Sequence, residues 1–313
     1  MTIRKKSSEV GRSVSLHAPA KLNLHLGIYT ELDERRYHRA DSLMVALDLY
    51  DEVNVEELAA RDAFFSASAA RSGIQVICVP SVDVPMEKNT AYRAAAELAH
   101  RVARIPQLRI TICKHVPDQA GMGGSSSDAA AVLRALCELW EINPADTRVE
   151  AAARAVGADV PFFLDPVPTL LVGAGDVVGR KFAPLSQSLS VVLVRPGGPG
   201  VSTPAAYAAF DENPTPPADS RELCNALEKN GDDLAGLVAA TLHNNLDPVA
   251  CALLPKVAEI RAWLLAQEDV LGGQVTGSGS CVFAMCRDDA DAQRIAQAAR
   301  NRFGAWAQAA HIV

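Results

Sequence analysis

The chain lacks what would send it to a membrane or onto a nucleic acid. No run of about 18 consecutive apolar residues occurs, so no transmembrane helix is expected. Positive charge is in deficit: 30 Lys and Arg stand against 37 Asp and Glu, a formal net charge of −7. A field of that sign disfavours non-specific binding to nucleic acid or to an anionic membrane, so an anionic ligand has to be met by a local positive site. The seven cysteines include no Cys-x-x-Cys pair and no Cys/His cluster at zinc spacing, a pattern of reduced thiols. The basic start, Met1-Thr-Ile-Arg-Lys-Lys-Ser-Ser-Glu9, is followed by no apolar stretch of the secretory kind. A soluble, cytoplasmic protein with neither nucleic acid nor membrane as partner is the expectation.

Two common nucleotide motifs are also missing. There is no Gly-x4-Gly-Lys-Ser/Thr, which excludes a P-loop. Residues 121–126 come near Gly-x-Gly-x-x-Gly but end in Ser126, and the acidic residue some way on, Glu141, falls at the end of a helix and not of a second strand. A dinucleotide fold is therefore disfavoured. Internal repeats and low-complexity tracts are absent.

What is present is an ordinary globular composition, 49% hydrophobic and 21% charged over 313 residues, enough for two packed halves. Alternation and β-branching predict strands over 14–28, 51–57, 73–79, 108–116 and 189–195, with a strand pair around the glycine loop at 272–286. Period and propensity predict helices over 89–103, 127–140, 147–156, 232–243, 245–267 and 289–302. The most linker-like composition is 211–220, and the fold class is α+β with a join near 165–185.

Between a strand and a helix lies Pro117-Asp-Gln-Ala-Gly-Met-Gly-Gly-Ser-Ser-Ser-Asp128. A small-residue loop at a helix start offers unpaired backbone N–H groups and the positive end of the helix dipole to an anion. Glycines admit close approach, and serine hydroxyls add donors or a magnesium ligand. Elsewhere three weaker signals stand open between a plain and a functional reading. On the first strand Lys21, Asn23 and His25 share one face; a solvated sheet face is the favoured reading, a polar site the other. Asp159, in Gly157-Ala-Asp-Val-Pro-Phe-Phe163, reads first as the cap of a short helix, or as a base if a lysine pairs with it. The glycine turn in Val275-Thr-Gly-Ser-Gly-Ser-Cys-Val-Phe283 reads as a tight turn, or as a second backbone loop against an anion.

Taken in order, Pro19-Ala-Lys-Leu-Asn23, the 117–128 loop and Thr276-Gly-Ser-Gly279 resemble the GHMP kinase superfamily. Gly157-Ala-Asp-Val-Pro-Phe-Phe163 narrows the resemblance to the kinases of 4-diphosphocytidyl-2-C-methyl-D-erythritol. Tyr37-His38, Asn89 after Lys88, Val201-Ser-Thr203 and Asn244-Asn-Leu246 agree with it, and the similarity spans roughly residues 14–286. The resemblance implies a two-domain fold: an amino-terminal domain like domain 2 of ribosomal protein S5, residues 1–175, and a ferredoxin-like carboxy-terminal domain, 176–313. It implies ATP and Mg²⁺, a cytidine-diphosphate-linked methylerythritol as substrate, a monomer or homodimer, and phosphorylation of the substrate's 2-hydroxyl in non-mevalonate isoprenoid synthesis.

The roles it implies fall on named positions. Lys21 and Asp159 form the catalytic pair, with Asn23 positioning the hydroxyl. Pro117, Asp118, Gln119, Ala120, Gly121, Met122, Gly123, Gly124, Ser125, Ser126 and Ser127 wrap the ATP phosphates, and Asn89 and Lys114 line the nucleoside end. Tyr37 and His38 hold the cytosine, and Gly277 and Ser278 belong to the substrate side. Magnesium ligands are not assigned. The sequence departs from the family pattern where Arg35-Arg36 replaces the usual Asp-Gly, where Gln119 stands for a small residue and where Ser125 stands for Gly. The paired arginines could meet the substrate's diphosphate; they also suggest a rival, a GHMP kinase of another small alcohol such as mevalonate or homoserine. A non-catalytic nucleotide-binding paralogue is the second rival, disfavoured because Lys21 and Asp159 are both present.

Overall fold

The computed structural model describes residues 11–58 and 73–313; the basic start, Met1–Glu9, lies outside them. Two long strands begin the fold, β1 (Ser13–Leu32) and β2 (His38–Glu57). The turn between them is closed by Asp33, whose Oδ1 accepts the backbone N–H groups of Arg35 and Tyr37. The sequence predicts only the last third of β2. Its first part carries Leu43, Met44, Val45, Ala46 and Leu47, all buried. A segment covered on both faces shows no alternation, so period 2 is lost there.

Two compact units share these strands. The first comprises Met1–Ala20, Tyr50–Val116 and Gly123–Asp165. In it β3 (Ile74–Val79) runs parallel to β4 (Leu108–Cys113), and β4 runs antiparallel to the end of β2, with Val53 opposite Ile112. Helices α1 (Thr90–Arg101), α2 (Gly124–Trp140), α3 (Thr147–Val156) and the single turn α4 (Val160–Leu164) pack on one another. Alanines at 129, 130, 131 and 135 bury completely or nearly so in α2, which lets helix backbones approach closely. Asn89 and Asp146 cap α1 and α3, their side chains accepting from Ala91 and Arg148 N–H.

The second unit comprises Lys21–Leu49, Pro117–Met122 and Pro166–Val313. Its strands are β5 (Thr169–Val172), β6 (Val177–Lys181), β7 (Leu189–Arg195), β8 (His243–Asn244), β9 (Val270–Val275), β10 (Val282–Cys286) and β11 (Trp306–Ile312). The start of β2 pairs with β5 and β11, and β11, β7, β10 and β9 follow in antiparallel order. The helices are α5 (Thr203–Glu212), α6 (Arg221–Lys229), α7 (Leu234–Ala240), α8 (Leu246–Leu253), α9 (Pro255–Leu265) and α10 (Asp289–Phe303). One helix predicted over 245–267 is two, divided where Pro255 cannot continue the hydrogen-bond ladder and instead opens the second. The predicted linker begins only at Asn213, because α5 runs through Asp211 and Glu212.

His311 fastens the last strand. Its N–H donates to Asp48 Oδ1 at 2.7 Å, and its ring nitrogens meet Asp48 Oδ2 and Asp289 Oδ1, both at 2.6 Å. The hydrogen bond to Asp48, with the charges of both carboxylates, raises the His311 pKa above the ordinary histidine value. A raised folded-state pKa contributes stability below the unfolded value of about 6.5 and loses it as pH climbs through the raised one. The difference in melting temperature between wild type and His311→Gln is therefore expected to be largest near pH 6 and to shrink by pH 9, read by thermal unfolding across that range.

Candidate active site

In the second unit the polar face of β1 is not solvated. Lys21, Asn23 and His25 are buried (3%, 1% and 1% exposed), which overturns the solvated-face reading. Two loops cover that face. The N–H of Lys21 donates to Met122 O at the end of the 117–122 loop, and the N–H of Asn23 donates to Thr276 Oγ1. A buried ammonium requires a partner. That of Lys21 donates to Asn23 Oδ1, and Asn23 Nδ2 in turn donates to Ser42 Oγ at 2.8 Å. The Lys21 head also lies against Gly277: a Cβ built there would stand 3.4 Å from Nζ. Burial and the nearby His243 push the His25 pKa down to about 4, so this histidine is neutral at physiological pH.

The glycines here answer to close backbone approach. Gly121 sits at φ +74, and a Cβ on it would lie 2.1 Å from Thr276 O. Gly277 also has positive φ, and its carbonyl accepts from Asn244 Nδ2 at 2.8 Å. Gln119, with φ 53, stitches a third segment in: its Oε1 accepts from Gly200 N–H at 3.1 Å, and its carbonyl accepts from Ser280 N–H. A cleft opens here, lined by Gln119, Gly121, Ser202, Thr203 and Ser278, with Ser278 Oγ 2.9 Å from Thr203 Oγ1. The glycine turn is thus a second backbone loop laid against the first.

In the first unit the remainder of the small-residue loop becomes the start of α2. Gly123 (φ +71) provides no capping side chain, and the first turn keeps a buried hydroxyl, Ser127 Oγ, with no hydrogen-bond partner among the described residues. An uncapped N-terminus on a 17-residue helix, with hydroxyls in its first turn, fits an anionic ligand. Asp159 stands at the N-cap position of α4, half-buried, yet its side chain makes no capping bond to that helix. Gly157 beside it approaches Ser126: a Cβ there would lie 4.0 Å from Ser126 Oγ.

Below this turn Lys114, placed at the nucleoside end by the resemblance, is held by Asp128 and by Asp51, which the sequence does not single out. Lys114 Nζ donates to Asp51 Oδ2 at 2.5 Å and to Asp128 Oδ2 at 2.8 Å. Asp51 Oδ1 also accepts the N–H groups of His115 and Val116. Burial works against the ammonium, but the carboxylates of Asp128 and Asp51 hold its pKa above the ordinary lysine value. Burial pushes the Asp128 carboxyl up against the opposing pull of Lys114. A charged residue in an alanine-rich helix start, as at Asp128, is the sequence signal for such a group.

Tyr37 and His38 follow the Asp33 turn in the second unit. Tyr37 is 61% exposed. His38 is largely covered, its ring 5.6 Å from that of Tyr207 and edge-on to Phe210 at 5.9 Å. The Arg35 guanidinium pairs with Asp33 and Asp176, both at 2.7 Å, and lies 5.4 Å from the Tyr37 ring centre. It is therefore engaged within the protein, where the sequence reading offered it to a diphosphate.

Comparison with known proteins gives matches along the whole chain. The model of the GHMP kinases N terminal domain matches residues 89–165, and that of GHMP kinases C terminal matches 220–305. A 4-diphosphocytidyl-2-C-methyl-D-erythritol kinase of Desulfitobacterium hafniense is 31% identical, covering 94% of each chain. One from Cereibacter sphaeroides is 35% identical over 92% of this chain and 95% of the relative. The chain belongs to the 4-diphosphocytidyl-2-C-methyl-D-erythritol kinase family of GHMP kinases. A crystal structure titled 4-(cytidine 5'-diphospho)-2C-methyl-D-erythritol kinase superposes with TM-score 0.74 at 30% identity, over 95% of this chain and 98% of that one. A homoserine kinase from Cytophaga hutchinsonii shares the fold at TM-score 0.71 and 19% identity, over 100% of this chain and 97% of that one. The GHMP kinase fold implied by the motifs is the one observed.

Against the family pattern, Arg36 occupies the position where glycine is usual, and it adopts φ +65. A left-handed conformation costs a non-glycine residue about 1–2 kcal/mol, so Arg36 holds this turn at a cost in strain. In the first unit the charge of Lys114 is held between two buried carboxylates, Asp51 and Asp128. Replacing Lys114 by Met leaves two buried carboxylates without a countercharge, and Lys114→Met is expected to lose about 3–5 kcal/mol of stability, measured by denaturant unfolding.

Proposed function

We propose that the protein transfers the γ-phosphoryl group of ATP to the 2-hydroxyl of 4-diphosphocytidyl-2-C-methyl-D-erythritol, in the non-mevalonate supply of isoprenoid precursors. The observation that carries this reading is end-to-end likeness, at 31–35% identity, to kinases named for that substrate, in a chain that keeps Lys21 and Asp159. The reaction takes place in the cytoplasm, in a monomer or homodimer; among the described residues no helix is long and apolar enough to cross a membrane. Residues 1–175 supply the ATP loop and the catalytic pair, and 176–313 complete the protein.

Phosphoryl transfer demands positioning and charge stabilisation more than covalent chemistry. Asp159 accepts the proton of the 2-hydroxyl as it attacks phosphorus. Lys21 holds Asp159 ionised and offsets charge at the reacting oxygens, while Asn23, bonded to the Lys21 ammonium, positions the hydroxyl. Residues 117–127 wrap the ATP phosphates, Asn89 and Lys114 line the nucleoside end, and Gly277 and Ser278 bound the acceptor. The loop hydroxyls are oxygen donors of the kind that would hold Mg²⁺, which would supply neutralisation of phosphate charge when bound with the nucleotide. Tyr37 stacks on the cytosine and His38 bonds its edge. The rival reading as a kinase of another alcohol rested on Arg35-Arg36, and the engagement of Arg35 with Asp33 and Asp176 weakens it.

Two substitutions test the assignment. Asp159→Asn is expected to keep ATP affinity near wild type while turnover falls by about 10²-fold or more, as loss of a positioned base predicts. Retained turnover removes Asp159 from the mechanism. Tyr37→Ala is expected to raise KM for the cytidylated substrate with no matching change for ATP, and an unchanged KM puts the cytosine elsewhere. Turnover of mevalonate or homoserine, with none of the cytidylated compound, overturns the proposed substrate.

A further inference from the structure

Helix α5 turns one side toward His38. Tyr207, Phe210 and Asp211 stand at i, i+3 and i+4, a spacing that groups them on a single face. The first two supply aromatic walls to the imidazole, and Asp211 Oδ1 lies 3.0 Å from its Nε2. The other ring nitrogen, Nδ1, is 2.8 Å from the carbonyl of Tyr29. A carbonyl only accepts, so Nδ1 carries hydrogen; Nε2 faces Asp211 Oδ1 and donates to it only where it carries a second one.

Stability does not account for this aspartate. Its side chain is 56% exposed, and an ion pair at such a site contributes little. It also sits in the last turn of α5, next to Glu212, where the helix dipole opposes negative charge. An acidic side chain held in an unfavourable position, with an open carboxylate beside a walled imidazole, is what a ligand contact requires.

We propose that Asp211 is a specificity-determining residue that reads the exocyclic amine of an aminopyrimidine base at His38. This rests on the reading of His38 as the base-binding residue. A cytosine ring offers an N–H donor at its 4-position, which a carboxylate accepts; carboxylates make that contact with cytosine in protein–nucleic acid recognition. A uracil ring offers a carbonyl oxygen there, and sets one acceptor against another. Asp211 thus favours the amino base and repels the keto base at the same atom. No titration or bond rearrangement is involved.

The test compares wild type with Asp211→Ala and Asp211→Asn, using the cytidine-linked substrate, its uridine-linked analogue, and titration calorimetry with CDP and UDP. Wild type is expected to favour the cytidine member of each pair. Asp211→Ala is expected to lose about 10-fold or more of that preference, the range of one hydrogen bond to a charged group, with KM for ATP and melting temperature unchanged. Asp211→Asn, whose amide presents either polarity, is expected to accept the uridine compound better than Asp211→Ala. A cytidine-to-uridine ratio in Asp211→Ala equal to wild type overturns the proposal, as does equal binding of CDP and UDP by wild type. If wild type turns over neither compound but binds CDP over UDP in an Asp211-dependent way, the specificity assignment stands and the assigned reaction falls.

Discussion

Burying the ammonium of Lys21 commits the residues around it. A cation 3% exposed on a strand has to be met by oxygen, and Asn23, two residues on and on the same face, provides it. Asn23 is then held on its other side by Ser42, and its backbone by Thr276. Thr276 is at the same time in close backbone approach to Gly121 of the 117–122 loop. That approach leaves no volume for a side chain at Gly121. The motifs that look separate in the sequence are one packing solution to a buried charge.

This explains what was legible beforehand. The small-residue loop declared itself because glycine and serine in that density, between a strand pattern and a helix pattern, have few other uses. The face carrying Lys21, Asn23 and His25 reads as solvated in the sequence but is buried, because polarity alone does not say whether water or another loop lies opposite. The start of β2 was missed for the opposite reason: Leu43 through Leu47 are apolar at every position, and a strand buried on both sides has no period. Asp211 was absorbed into a Pro-rich linker by composition, although the helix before that linker runs through it. Gln119 stood outside the family pattern and found its reason only in Gly200, eighty-one residues away in sequence.

The first unit solves a second buried charge differently. Lys114 is held by two carboxylates, one of which, Asp51, is itself fixed by two backbone N–H groups. Asp128, the other, lies just past the first turn of α2. The uncapped start of α2 is therefore anchored from beneath by charges that the protein itself supplies. Preorganisation of this kind lets a loop present backbone donors without spending binding energy on ordering them.

The two ends of α5 have different attachments. Its leading segment is tied at Gly200 to the 117–122 loop, and its last turn sets Asp211 against His38. Ten residues of helix span about 15 Å, and each residue turns the face by about 100°. The helix therefore acts as a gauge: the interval between the 117–122 loop and the edge of His38 is fixed by a count of residues. Adding or removing one would swing Asp211 off His38 while leaving every side chain in the cleft chemically intact. Length, as much as composition, is what α5 contributes.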